Sequence, residues 1–414
     1  MKMLQLPDLP LQRDSVITIQ VPDSFRADYD VYGFPYSQEK YNYKLNDYVS
    51  ELQLVPLETI PKCKIKHIFN LQTDSCFLFI TDQSGNYGKD FHFYCFTREG
   101  KYVCTFSQYG YERNSYRGIP ELSIDRKHKE VCLLDEYTDK MLFYDYSGRH
   151  LRTEKMDYSF FHIEFADTLR ATTIYSLFEV NNSVSHYIPR LFLNKGKDLP
   201  YAKEFPTINR NNNDYWQNGY LYSFDNSIYY THELTDTIWE LKPNAADARF
   251  AFRYSHGSSL FNISETDTLT DMGFYARKGS KLHHSGSSSR NKFLLTKDFL
   301  YAVFTKPIKG TDSMGSLSML LYNRHSGKML AYMQGGFDEG IPHTTLAQHL
   351  FQGVFSSVFS DGTFIQVLNP DVIKTNVYGD DRFYTTMKKG ELEFVKKLKM
   401  DDNPVLLLVR FKDF

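Results

Sequence analysis

Thirteen histidines are the residues of this chain best equipped to bind a metal or move a proton. Six of them, His67, His128, His162, His186, His232 and His256, recur near the ends of apolar segments. If those segments are strands around a common axis, single residues from several of them could meet at a metal ion or as an acid–base pair, with no local motif. A lone strand histidine is more often a hydrogen-bonded structural residue, so no metal ligand is assigned. His283 and His284 are neighbours on a loop, where adjacent side chains point apart. His232-Glu233 opens like a zinc-protease motif but continues Leu234-Thr235-Asp236. Nucleophile elbow, phosphate-binding loop and EF-hand signatures are all missing, so no catalytic residue is assigned and the reading leans away from an enzyme. No cofactor follows from the sequence either.

Two other groups could carry function. Asp82 and Asp135 end equivalent apolar segments and could present carboxylates at one face, although an Asp there ordinarily accepts backbone N–H bonds of the following turn. Tyr109, Tyr111, Tyr116 and Tyr137 cluster in loops near that end, and loop tyrosines combine contact area with a hydroxyl, which suits ligand recognition. The five cysteines show no C-x-x-C pair, which argues against a zinc ribbon. Cys95 and Cys104 flank the Glu99-Gly100 turn. A two-residue hairpin there would set them opposite each other on a non-hydrogen-bonded rung, open to a disulfide in an oxidising compartment. Two buried thiols acting as small hydrophobes are the plainer reading, and a longer loop would shift the register.

The elements that must position these residues are written in a repeat. Gly100, Gly148, Gly196 and Asn244 stand 48 positions apart, each inside an apolar–turn–apolar frame such as Leu142-Phe143-Tyr144-Asp145-Tyr146-Ser147-Gly148-Arg149-His150-Leu151. Another copy, Met319 to Leu330, follows after a longer interval. A period of 40–50 residues with hairpin punctuation is the mark of propeller blades. The turns Asp225-Asn226, Ser147-Gly148 and Asp361-Gly362 join short strands into antiparallel meanders. The expected fold is all-β: a six-bladed β-propeller of four-stranded antiparallel blades near residues 65–108, 120–157, 160–206, 219–256, 292–334 and 353–411. The N-terminal strand Leu52-Gln53-Leu54-Val55-Pro56-Leu57 has no blade of its own, and we expect it to complete the last blade and close the ring. Residues 1–45 read as a leader wrapping the propeller of residues 46–414, which carries a Gly/Ser-rich insertion near 257–291. Weak helical character runs from Ile341 to Gln352.

Composition agrees. The 31 tyrosines and 33 phenylalanines, against two tryptophans, favour pleated half-buried strands. A formal net charge of -2 gives no electrostatic case for nucleic acid or an anionic membrane as partner. No apolar run is long enough for a transmembrane helix, and Met1 to Pro10 lacks the apolar core of a signal peptide.

The run Asp401-Asp402-Asn403-Pro404-Val405-Leu406-Leu407-Leu408-Val409-Arg410-Phe411 closely resembles the ending of a family of six-bladed β-propeller proteins exported by Bacteroides-type bacteria. Leu54-Val55-Pro56-Leu57-Glu58-Thr59, followed by Ile65-Lys66-His67-Ile68, is similar to that family's opening strand and first blade. The resemblance covers roughly residues 50–412. It departs where members often carry a Gly-Pro-Gly-Glu-Tyr-like loop, since this chain reads Gly110-Tyr111-Glu112-Arg113-Asn114-Ser115-Tyr116 there. It implies an exported protein of the periplasm or outer membrane surface, with a lipid anchor on a segment outside this chain. It supplies no reaction. The expected function is therefore a monomeric, non-enzymatic binding protein of the cell envelope, with a glycan, peptide or protein ligand held at one mouth of the ring by Tyr109, Tyr111, Tyr116 and Tyr137. The alternative is a hydrolase or lyase using a metal or an acid–base pair in the central channel.

Overall fold

The computed structural model describes residues 9–21, 44–83, 91–107, 109–118, 121–135, 137–156, 162–167, 169–180, 184–195, 201–204, 220–231, 237–254, 281–282, 293–307, 314–333, 345–379 and 387–414. Their strands form six sheets. The first holds Ile68–Thr73, Phe77–Gln83, Phe91–Thr97 and Tyr102–Thr105, each antiparallel to the next. The second holds Glu121–Asp125, Glu130–Asp135, Lys140–Asp145 and His150–Lys155. The third holds His162–Ala166, Leu169–Val180, Val184–Lys195 and Tyr201–Glu204. The fourth is built on Tyr220–Phe224, Ser227–Thr231, Thr237–Lys242 and Ala245–Tyr254. The fifth holds Phe299–Pro307, Met314–Asn323 and Met329–Met333, with Lys281–Leu282 and Phe293–Leu295 both pairing on Phe299–Pro307. The sixth runs Ser357–Val358, Phe364–Leu368, Val405–Phe411 and Val49–Pro56.

The first strands of successive sheets touch around an axis. Between the fourth and fifth sheets the link is an edge-to-face contact of Tyr220 with Phe293, at 5.3 Å. Middle strands are sandwiched by neighbouring sheets, which is why Phe77–Gln83 and Phe91–Thr97 read as near-continuous apolar runs rather than alternating ones. The outermost His150–Lys155 is polar and half exposed.

The recurring glycine has a steric cause. Gly100 has φ +81, and a Cβ there would lie 2.4 Å from Pro56 O. Gly148 has φ +88 and its Cβ would meet Cys104 Sγ at 3.0 Å. Each turn thus needs the left-handed backbone and also abuts a neighbouring sheet. Asp225 and Asn226, both at positive φ, make the primed turn that Asp-Asn favours.

A ring of uniform four-stranded antiparallel blades closed by the N-terminal strand is not what forms. Four of the sheets have four strands, and five are antiparallel throughout. The fourth has six strands, because Leu11–Gln12 and Ile17–Val21 lie parallel on Ala245–Tyr254. The strands that begin the chain therefore do not close the ring. They cover an edge: at ten residues, Ala245–Tyr254 outruns the six of Thr237–Lys242, and Ile19 and Val21 pack with its buried Phe250 and Phe252. The strand against Val405–Phe411 is Val49–Pro56, third in chain order, with Val405 opposite Pro56 and Phe411 opposite Val49.

Helices interrupt the sixth sheet. Leu346–His349 starts on a capping box of Thr345 and Gln348. Pro370–Tyr378, with proline in its first turn, and Lys389–Lys397 both fall between Phe364–Leu368 and Val405–Phe411 and bury Ile373, Val377 and Val395. The sequence reading had no helix at these two places. Most of the Gly/Ser-rich insertion, and residues 22–43 of the leader, lie outside the described residues.

Candidate functional site

In a strand whose two faces are both covered, a charged residue at alternating positions stands out. Glu121, Ser123 and Asp125 alternate on the first strand of the second sheet, and His162 and Glu164 on that of the third. The first sheet contributes Asn70 and Gln72, the fourth Tyr220, Tyr222 and Ser223. Of these, Glu121, His162, Glu164, Asn70, Gln72, Tyr220, Tyr222 and Ser223 line a cavity of about 40 Å3 at the axis, space for about three waters.

The polar groups inside bind one another. His162 Nδ1 lies 2.5 Å from Glu121 Oε2, an ion pair across two sheets when the imidazole is protonated. Glu164 accepts from Ser223 Oγ at 2.7 Å and from Gln72 Nε2 at 3.4 Å. Arg126 donates to Ser223 Oγ at 2.6 Å and, through Nε and Nη2, to Thr73 O at 3.2 and 2.9 Å. Gln72, which lines the cavity, has its Oε1 buried without a hydrogen-bond partner among the described residues. Burial pushes the Glu164 carboxyl up to about 7, against the nearby Arg126 charge and the Ser223 hydrogen bond, which favour its ionised form; the Glu121 charge adds to the rise. The cluster can therefore hold or release one proton near neutrality.

The exposed aromatic residues sit at one end of the second sheet. The antiparallel register of Glu121 with Leu134 places the turn after Asp135 at the end where the strand of Glu121 begins. Asp135, fully buried, accepts from Arg117 N at 2.9 Å, Gly118 N at 3.0 Å, Tyr137 N at 3.2 Å and Thr138 Oγ1 at 2.6 Å. Asp82 does the same for Lys66 N and His67 N, at 2.9 and 2.8 Å. Both carboxylates thus tie the incoming loop to the sheet, more than the single following turn expected of them. Asp135→Asn should cost about 1–2 kcal/mol in urea unfolding, because one carboxylate oxygen becomes a donor facing donors. An unchanged midpoint would show that the loop holds itself.

Of the four tyrosines, two are presented to solvent: Tyr111 is 79% and Tyr137 69% exposed. Arg117 lies between them, its guanidinium 4.0 Å from the Tyr111 ring centre and 5.5 Å from that of Tyr137. Its Nε has no hydrogen-bond partner among the described residues. Tyr109 is half-buried. Tyr116 is not a loop-surface residue at all: it is fully buried, packs edge-on against Phe93 at 5.4 Å, and donates its hydroxyl to Phe91 O. It fills the core because the loop folds back to bridge Tyr109 with Tyr116.

Among the flagged histidines whose side chains are described, His162 alone reaches the channel cluster. His128 pairs with Asp125 on an exposed turn at 2.7 Å, and His67 precedes the first strand of its sheet. His186 lies in Val184–Lys195, while His232, His256, His283 and His284 fall outside the described residues. Among the described residues no group of three His, Cys, Asp or Glu could hold a metal ion, and no helix is long and apolar enough to cross a membrane. Glu121, Arg126 and Glu164 were missed from the sequence. For Glu121 and Glu164 the signal available was the alternation of polar residues within otherwise buried strands; Arg126, in the turn after Asp125, had none.

A family profile described as a domain of unknown function, DUF4934, matches residues 28–410. Among solved structures the chain is similar to a Bacteroides fragilis protein named "Putative exported protein". Identity is 14% and the TM-score 0.64, with 96% of this chain and all of the other covered. A DUF4221 family member from Bacteroides vulgatus matches at 7% identity and TM-score 0.44, over 88% of this chain and 98% of the other. At 14% identity the likeness to the Bacteroides fragilis protein speaks for the fold alone. No curated protein matches the chain.

Proposed function

We infer, for a chain that belongs to the DUF4934 family, a non-enzymatic propeller exported to the bacterial cell envelope that binds its ligand at the mouth where the first strands begin. The observation that carries this reading is the platform of Tyr111, Arg117 and Tyr137, two exposed rings flanking a cation, anchored from below by buried Asp135. Rigid aromatic faces beside a guanidinium suit a ligand with a flat apolar face and an acidic group, such as an acidic glycan or peptide. The exported name of the Bacteroides fragilis neighbour supports the compartment.

The test is a screen of glycan and peptide arrays, followed by titration of the best binder against Tyr111→Ala/Tyr137→Ala. The double variant should lose at least ~10-fold in affinity, as expected of two hot-spot aromatics, and melt at the wild-type temperature because both rings are solvent-exposed. Undiminished binding would move the site elsewhere. One observation favours a hydrolase or lyase instead: Glu121, His162 and Glu164 share the channel. Turnover of any array hit that disappears in Glu164→Gln would establish that second reading.

A further inference from the structure

Cys95 and Cys104 pair directly across Phe91–Thr97 and Tyr102–Thr105, the third and fourth strands of the first sheet. They reach that register by a route other than a two-residue hairpin. Thr97 N donates to Lys101 O at 2.8 Å, so the turn is one residue longer, and a register shift between Cys95 and Phe96 takes up the difference. Phe106 N donates to Phe93 O at 2.9 Å, which makes that rung hydrogen-bonded, and alternation gives the cysteine rung two steps away the same type. Cα atoms on such a rung lie about 5.5 Å apart, within the roughly 4.4–6.8 Å that a disulfide spans. Cys95 is fully buried and Cys104 half-buried. Cys104 also marks a seam: its thiol donates at 3.6 Å to Tyr146 O, in the turn that follows Lys140–Asp145 of the second sheet, and Gly148 of that turn closes over it.

We propose that Cys95 and Cys104 form a reversible dithiol–disulfide pair, oxidised by a small-molecule or protein disulfide. Cys104, the accessible thiol, attacks as thiolate and forms a mixed disulfide, releasing one thiol from the oxidant. Cys95 then loses its proton and displaces the second, so that two protein thiols and one oxidant disulfide become one protein disulfide and two thiols. The Cys104 hydrogen bond and burial both push the Cys95 thiol up, which fits its part as the resolving partner. Closing the bridge takes Cys104 off Tyr146 O. The seam between the first two sheets loses a thiol donor, and the edge strand of the first sheet gains a covalent tie. No other two cysteines face each other in the described registers: Cys63 and Cys132 are buried apart and Cys76 is exposed.

The experiment uses the full chain with Cys76→Ser, which removes the exposed competitor and leaves four thiols. After incubation with oxidised glutathione, denaturation and alkylation, the titre should fall from four to two. Trypsin cuts at Arg98 and Lys101, between the two cysteines, so the peptides of Cys95 and Cys104 should then appear as one linked mass that separates on reduction. Cys76→Ser/Cys104→Ser should keep all three of its thiols. Four titratable thiols after oxidation would overturn the proposal. So would a stable glutathione adduct on Cys104, since Cys95 would then have failed to reach it.

Discussion

Glu164→Gln should remove about 3 kcal/mol of pH dependence from the stability of this protein, read as the difference between wild-type and variant unfolding free energies from pH 4.5 to pH 8. Burial at the channel axis penalises the charge of this carboxyl and pushes it up from its ordinary value of 4.5 to about 7 in the folded chain. A raised carboxyl pKa means that the folded state binds the proton more tightly than the unfolded one. The stabilisation is complete below pH 4.5 and is lost as the pH rises through 7. Glutamine keeps the hydrogen-bonding shape toward Ser223 and Gln72 but carries no charge, so the variant should match the wild type in acid and exceed it at pH 8. Arg126→Met should move the wild-type transition further up, since its guanidinium is the charge that favours ionised Glu164. Parallel stability curves for wild type and Glu164→Gln would show that water reaches the carboxyl and would remove the channel proton from any mechanism.

Asn403→Ala should cost about 3–5 kcal/mol in urea unfolding, the cost of several buried polar groups left unpaired at once. Asn403 is 1% exposed. Its Oδ1 accepts from Ile65 N at 2.7 Å, and its Nδ2 donates to Glu58 O at 2.8 Å and Cys63 O at 3.0 Å. One side chain thus joins the approach to the last strand with the segment linking Val49–Pro56 to the first sheet. Asn403→Asp tests the donor half: it keeps the acceptor for Ile65 but turns a carboxylate toward two carbonyls, so it should destabilise as much. A loss under 1 kcal/mol in the alanine variant would mean that Thr59, which already accepts from Asn403 N at 2.8 Å, holds this junction.

Both sites lay partly in view of the sequence. Asn403 belongs to the run Asp401–Phe411 that carried the family resemblance, yet its role depends on partners some 340 positions earlier, and no local pattern encodes that distance. Glu164 went unnoticed because a single acid in His162–Ala166 has no motif. Only strands from several sheets, meeting at one axis, give it Ser223, Gln72 and Arg126 as neighbours. Tyr116 shows the converse. Its loop context suggested exposure, and the bridge of Tyr109 with Tyr116 goes with a buried Tyr116 while Tyr111, five positions earlier, stays in solvent. Cys95 and Cys104 were expected opposite each other on the assumption of a two-residue turn; the turn is longer, and a bulge restores the pairing.

What the sequence determined by itself is what short-range chemistry controls: strands where aromatic and β-branched residues crowd, turns where Gly100, Gly148 and Asp225-Asn226 tolerate positive φ, and a repeat that commits these hairpins to propeller sheets. Only the tertiary structure decided which sheet takes a given strand, and hence which side chains share a cavity. Ile17–Val21 could have paired with any open edge, and went to Ala245–Tyr254 because that strand outreaches its neighbour and exposes Phe250 and Phe252 to be covered. Strand pairing and burial at the axis are contests between distant segments for the same surface, and they are settled by the total area removed from water rather than by any one residue's preference.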